Sequence, residues 1–241
     1  MSAESETGPL RSRPGVSSGI LKRLGTVAVA FLFMAAILFL AAGRLDWTWA
    51  WAYLGINLAD ILIVGPIMIR THPETVAERG ELKLAENWDK VVGVSYFLAM
   101  YIAVPLVAGL ELRFGWARDL RVAWHVAGAV VFVAGLVLTT WSMMTNAYFS
   151  TAVRVQSDRG QTVCSSGPYR FVRHPGYVGY ILQPIGVPIL LGSLWALIPG
   201  ITAAVCMVIG TSLEDRLLQA ELPGYSDYVQ RVRYRLVPGF W

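Results

Sequence analysis

The chain has 241 residues, of which 55% are hydrophobic and 15% charged, with a formal net charge of +4. A soluble domain carries nearer a quarter of charged residues, so this composition excludes an ordinary soluble globular protein. The basic excess comes without any nucleic-acid-binding motif. His72, His125 and His174 are scattered without metal-ligand spacing, so neither a nucleic-acid partner nor a metal is expected.

Residues 1–20 are polar and rich in Ser, Gly and Arg, which predicts a disordered tail. Apolar runs follow at Gly25–Ala42, Trp47–Ile69, Val91–Leu110, Val122–Ala147, Tyr177–Leu191 and Leu194–Leu213. Most reach the roughly 20 residues that cross a bilayer as a helix. Backbone groups in lipid must bond within the segment, so the runs are read as helices. The prediction is an all-α integral membrane protein of about six spans, or five if residues 177–213 are partly re-entrant. The first run is too long for a secretory signal core and further spans follow at once, so it is read as a retained helix. A short interfacial helix is expected around Pro73–Leu84. Cys164 falls in a polar loop and Cys206 in a span, so no disulfide is expected.

Charge sets the expected orientation. Under strict alternation sixteen Lys and Arg fall on one face, and only Arg44, Arg113, Arg118 and Arg121 on the other. By the positive-inside rule both termini are cytoplasmic. The chain divides into a tail (1–20), a four-helix membrane region (21–147) and a C-terminal catalytic region (148–241).

That last region opens with the irregular stretch Tyr148–Gly176, which carries four Arg, a single acid (Asp158) and several Gly and Pro. Long loops of this kind are more often functional than idle. The 37 residues of Tyr177–Leu213, broken at Gly192–Ser193, fit two spans folded as a hairpin, so that His174–Pro175 and Glu214–Asp215 return to one face. Pro175 suits a first helical turn, whose free N–H groups beside Arg173 and His174 invite an anion. Glu214 and Asp215 lie at a helix C-terminus, where acids are disfavoured, so a cation is expected there. Arg173 or Arg216 supplies it in one reading. In the other, a ligand with both an ammonium and a carboxylate uses both poles.

The segment Gly167-Pro168-Tyr169-Arg170-Phe171-Val172-Arg173-His174-Pro175-Gly176-Tyr177-Val178-Gly179 resembles the G-x-Y-x-x-x-R-H-P-x-Y-x-G signature of the isoprenylcysteine carboxyl methyltransferase family. Glu214-Asp215-Arg216-Leu217-Leu218, then Gly224-Tyr225, Tyr228 and Val237-Pro238, looks like its second signature, E-E-x-x-L followed by F-G-x-x-Y and a late proline. Phospholipid methyltransferases share a weaker version. The resemblance covers residues 145–241. It implies a membrane-embedded, S-adenosylmethionine-dependent methyltransferase of bacterial type, multi-pass in the inner membrane, with its site on the cytoplasmic face. Carried over by position, Arg173, His174 and Glu214 take catalytic roles. Cofactor contacts fall on Gln161, Thr162, Val163, Cys164, Tyr169, His174, Pro175, Gly176, Tyr177, Glu214 and Asp215, and on Gln156 if a two-residue gap is allowed. Gln183, Asn146 and Tyr228 are candidates for the substrate pocket. The chain departs from the pattern in having Asp215 for the second Glu, Leu222 and Pro223 before Gly224, and Gly210 where the family often has an Arg thought to meet the substrate. The last departure argues against a prenylcysteine carboxylate and for another small lipophilic acceptor, a carboxylate, thiol or amine.

Methyl transfer from a sulfonium to a carboxylate or thiolate needs alignment and exclusion of water and no general base, so the lack of a Ser-His-Asp set is no objection. An NADPH-linked membrane reductase of the sterol type, or a carrier using Asp60 within span two, are the rival readings; no internal repeat accompanies the second. Asp60 is expected to bond to Thr139, Thr140, Ser142 or Asn146 on span four, and Trp141, Met143 and Met144 to pack. Tyr225, Tyr228, Val232 and Leu236 follow helical spacing and predict an amphipathic helix at the headgroups or a lid.

Overall fold

The computed structural model describes residues 16–80, 87–116, 119–150 and 152–241. Its helices run α1 (Val16–Ala42), α2 (Thr48–Thr71), α3 (Pro73–Glu78), α4 (Asn87–Arg113), α5 (Val122–Thr145), α6 (Pro175–Leu191), α7 (Leu197–Glu221) and α8 (Tyr225–Arg231). No strand occurs among the described residues, and the all-α expectation is borne out. Five helices, α1, α2, α4, α5 and α7, are long and apolar enough to cross a membrane. Their outward faces are apolar: Leu62, Val130 and Ile198 are 64%, 62% and 59% exposed. Water does not tolerate such a continuous surface, and lipid does.

The fifth of the six predicted spans, α6, has only 17 residues, about 25 Å at 1.5 Å per residue. It still runs the height of α5. A Cβ placed on Gly176 would lie 3.5 Å from the Ser142 Cβ, and one on Gly192 2.6 Å from the His125 ring. The hairpin with α7 is therefore complete. Its turn is tied down by Glu111 of α4, which accepts hydrogen bonds from the Ser193 hydroxyl and the Trp195 N–H. At the same end the His125 Nδ1–H donates to the Leu190 carbonyl (2.8 Å), and its ring stacks 4.1 Å from Trp49.

α5 and α6 touch backbone to backbone, which their sequences permit through glycines seven residues apart on each: Gly128 and Gly135, Gly179 and Gly186. A Cβ on Gly128 would lie 2.3 Å from the Leu190 nitrogen, and one on Gly186 2.6 Å from the Phe132 nitrogen. Small residues at such seams let membrane helices associate. Gly128→Ala is expected to lower stability by about 1–3 kcal/mol through overpacking, read as a fall in melting temperature of the detergent-purified protein. An unchanged melting temperature would show that the seam is loose.

Several expected boundaries move. α1 begins at Val16, inside the stretch expected as a tail, and residues 1–15 lie outside the described residues. α3 ends at Glu78, and residues 81–84 of the expected interfacial helix also lie outside them. α8 stops at Arg231, short of Val232 and Leu236. The reason is tertiary: the chain turns extended at Val232 and its backbone pairs with the R-H-P corner, the Arg173 N–H donating to the Tyr234 carbonyl (2.9 Å) and the His174 N–H to that of Arg235 (3.0 Å). Asp60 makes none of the bonds expected of it. Thr139 accepts from Gln183 Nε2 instead (3.2 Å), and the Ser142 hydroxyl donates to its own helix. In α4 the turn Leu98–Ala103 is a π-helix, with the Val104 N–H bonded to the Ala99 carbonyl. Pro105, which has no N–H to give, follows directly.

Candidate active site

Glu214 and Asp215 are adjacent in sequence but point about 100° apart around α7, and their surroundings differ accordingly. Asp215 is fully buried. Its Oδ1 accepts from Arg173 Nε (2.8 Å) and the Tyr225 hydroxyl (3.0 Å) and lies 3.1 Å from His174 Nε2. Its Oδ2 accepts from Arg173 Nη2 (2.9 Å), Arg235 Nε (2.8 Å) and Gln219 Nε2 (2.9 Å). Arg173 Nη1 spends its protons on the carbonyls of Val232 (2.9 Å) and Arg233 (2.6 Å). One carboxylate thus joins α7, α8, the R-H-P corner and the C-terminal tail. Burial alone would lower the Arg173 guanidinium, but the two-point bond to Asp215 outweighs it and holds the group above its ordinary range. The cation expected at the end of α7 is therefore present for Asp215.

Glu214 has no such partner. Its Oε2 accepts from the Tyr177 hydroxyl at 2.5 Å, and no hydrogen bond reaches Oε1 among the described residues. Tyr177 lies in the first turn of α6, so this bond links the two arms of the hairpin beside His174, whose ring lies 5.8 Å from that of Tyr177.

The loop before α6 is held by its own polar groups. Gln156 is buried: its N–H donates to Gln161 Oε1 (2.6 Å), its Nε2 to the Tyr148 carbonyl (2.7 Å), and its Oε1 accepts from Arg159 Nη1 (2.6 Å). Gly160 supplies the left-handed turn between them at φ 65°. Arg154 ties the loop to α3 through Glu78 (3.0 Å) and to Asp158 (2.6 Å). The Tyr228 hydroxyl donates to the Tyr169 carbonyl (2.6 Å), and Asn146 Nδ2 lies 3.4 Å from the Tyr169 hydroxyl. Burial pushes the Tyr169, Tyr225 and Tyr228 hydroxyls above their usual range, so all three serve as neutral hydrogen-bonding groups.

These elements enclose a cavity of about 550 Å³, within the roughly 300–1,000 Å³ of small-molecule sites. From the loop, Gln156, Gln161, Thr162, Val163, Cys164 and Tyr169 reach its wall. Arg173, His174, Gly176 and Tyr177 reach it from the corner and α6, and Asn146, Glu214 and Tyr228 from their helices. Three expected site residues do not: Asp215 is enclosed in its ion cluster, Pro175 is buried, and Gln183 faces Thr139 of α5. Gly210 packs against α4, where a Cβ would meet Val92 at 3.1 Å and Tyr177 at 3.5 Å.

Residues 123–222, from α5 through α7, match the phospholipid methyltransferase family. Two rice proteins, from Oryza sativa subsp. indica and subsp. japonica, each named "Probable protein-S-isoprenylcysteine O-methyltransferase", are 25% identical to this chain over 152 residues. The match covers 59% of this chain and 75% of each relative. These likenesses support a membrane methyltransferase.

The methyltransferase's cavity is wider than the matched segment. α1 contributes Arg23, α3 is followed by Arg79, and α4 supplies Asp89, Tyr96, Phe97 and Tyr101, while Phe149 and Tyr180 complete the far side. Sequence reading missed these residues. Arg23 and Arg79 served only as topology markers, and the one available signal was the cluster Tyr96, Phe97 and Tyr101 in an otherwise aliphatic helix. The cavity leaves room for a methyl donor beside a Glu214 carboxylate oxygen that no hydrogen bond reaches among the described residues, across from the first turn of α6. Among the described residues no group of His, Cys, Asp or Glu is arranged to hold a metal ion.

Proposed function

We propose that this methyltransferase takes its methyl group from S-adenosylmethionine and passes it to a small lipophilic acceptor within the cavity shared by Glu214, the start of α6 and residues 161–164. The observation that carries the reading is the contrast between the two acids. Asp215 is saturated by five side chains, while Glu214, on the wall of a cavity of cofactor size, keeps an oxygen that no hydrogen bond reaches among the described residues.

In this reading Glu214 receives the ammonium of the cofactor's amino-acid end, and the first turn of α6 with His174 and Gly176 receives its carboxylate, as helix N-termini do. Gln161, Thr162, Val163, Cys164 and Tyr169 border the remainder, with Gln156 supporting them from behind. Arg173 and Asp215 are positioning residues: they fix His174 and the tail without meeting the reacting atoms. When bound, the cofactor supplies a sulfonium methyl group open to direct displacement. The chain's own contribution is to align the acceptor behind that methyl, exclude water with the ring of tyrosines, and balance charge with Glu214. Residues 148–241 then form the donor side and the helices of residues 21–147 the acceptor side.

The distribution of Lys and Arg supports cytoplasmic termini and a cytoplasmic site in a multi-pass protein, with the inner membrane of a bacterium as the expected location. The acceptor enters from the bilayer. Incubation of the purified protein with lipid extract and methyl-labelled S-adenosylmethionine, followed by mass spectrometry, is expected to show label on one lipid class. Label that stays entirely with the cofactor across extracts would reject the reading.

A further inference from the structure

Most arginines near the site are satisfied by acids or carbonyls, but two on the cavity wall are not. Arg23 of α1 and Arg79, just past α3, are brought together because the two helices meet closely: a Cβ on Gly80 would lie 2.1 Å from the Gly19 carbonyl oxygen and 3.1 Å from the Arg23 nitrogen. Arg23 lines the same cavity wall as Arg79, Tyr101 and Tyr180. Arg79 Nη2 donates to the Tyr180 hydroxyl (3.2 Å), its guanidinium sits 5.3 Å from the centre of the Phe149 ring, and its Nη1 is buried without a hydrogen-bond partner. No ion pair reaches either arginine among the described residues. The carboxylates on the same wall pair with neither arginine among the described residues: Asp89 Oδ2 accepts from the Val153 N–H (2.9 Å) and Glu214 Oε2 from the Tyr177 hydroxyl.

Two neighbouring half-buried cations are unfavourable unless an anion joins them, and a buried donor atom left unpaired adds to the cost. The surrounding wall of Val92, Tyr96, Phe97 and Tyr101 is apolar or aromatic, which suits a hydrocarbon chain. The position is also close to the reacting end: the Tyr180 ring lies 6.4 Å from that of Tyr177, whose hydroxyl holds Glu214.

We propose that Arg23 and Arg79 form a subsite for the oxyanion headgroup of an amphiphile, a carboxylate or a phosphate, and that this amphiphile is the acceptor, a headgroup oxygen bonding the methyl carbon as the donor's carbon–sulfur bond breaks and its neutral thioether leaves. Only the last clause rests on the function proposed above. Binding is measured with the full chain in neutral detergent, using palmitate, hexadecyl phosphate and, as uncharged controls, methyl palmitate and hexadecanol. The wild type is expected to bind at least one anion about tenfold or more tightly than its control, and Arg23→Gln and Arg79→Gln to lose roughly ten- to hundredfold of that affinity, the range for hydrogen bonds to charged groups. Arg79→Lys, which keeps the charge, retains part of the preference and guards against misfolding of the glutamine variant. Whether palmitate or hexadecyl phosphate shows the effect tells a free carboxylate from a lipid phosphate. Equal affinity for charged and uncharged probes, or an unaltered preference in both glutamine variants, overturns the subsite. S-adenosylmethionine titrated into the same proteins separates the two readings: anion preference without cofactor binding sinks the proposed function and leaves the subsite standing.

Discussion

Replacing Asp215 with alanine is expected to cost about 3–5 kcal/mol of stability, the range for removing one partner of a buried ion pair. The loss is large because Asp215 is the common acceptor of Arg173, Arg235, Tyr225 and Gln219 and lies against His174. Without it, Arg173, which is 5% exposed, remains as a buried cation held only by two carbonyls. The tail that pairs with the R-H-P corner loses its anchor at Arg235, and the cavity wall formed by His174 loosens with it. Asp215→Asn, which preserves shape but not charge, is expected to fall between wild type and Asp215→Ala. The check is thermal unfolding of the detergent-purified variants together with methyl transfer. A melting temperature within error of wild type for Asp215→Ala would mean that the cluster does not hold the fold together.

Glu214→Gln is expected to behave in the opposite way. Among the described residues its only hydrogen bond is the one from Tyr177, which an amide oxygen can still accept, so the melting temperature should barely move. S-adenosylmethionine affinity should fall roughly ten- to hundredfold, because a charged partner for the ammonium is lost. Calorimetric titration reads this directly. A Glu214→Gln protein that binds S-adenosylmethionine as tightly as wild type would remove Glu214 from the donor site. The two variants together separate a residue that builds the site from one that meets the ligand, although the two acids are chain neighbours.

How far the sequence reveals this arrangement depends on how local each feature is. The apolar runs, the hairpin break at Gly192–Ser193 and the gathering of His174 and Glu214 at one end are legible, since each follows from span length and turn chemistry. The division of labour between Glu214 and Asp215 is not. Helix phase says that they point apart, but which of them meets the tail depends on the path of residues 232–236, where pairing with Arg173 and His174 overrides helical spacing. The glycine seam between α5 and α6 is visible as a seven-residue spacing in each helix, yet it has meaning only once the two are known to be partners. Arg23 and Arg79 stand far from the motifs and reach the site through the contact of α1 with α3, which no local pattern announces. For the same reason Asp60, an acid in a span, drew attention that its surroundings do not repay.

The methyl donor is expected to lie between the arms of the α6–α7 hairpin. Ultraviolet cross-linking with methyl-labelled S-adenosylmethionine, followed by peptide mapping, tests it most directly. Label on peptides that carry residues 161–177 or Glu214 is the predicted result. Label confined to peptides from α1, α2 or the outer turns, with none on the hairpin or the loop before it, would contradict the account.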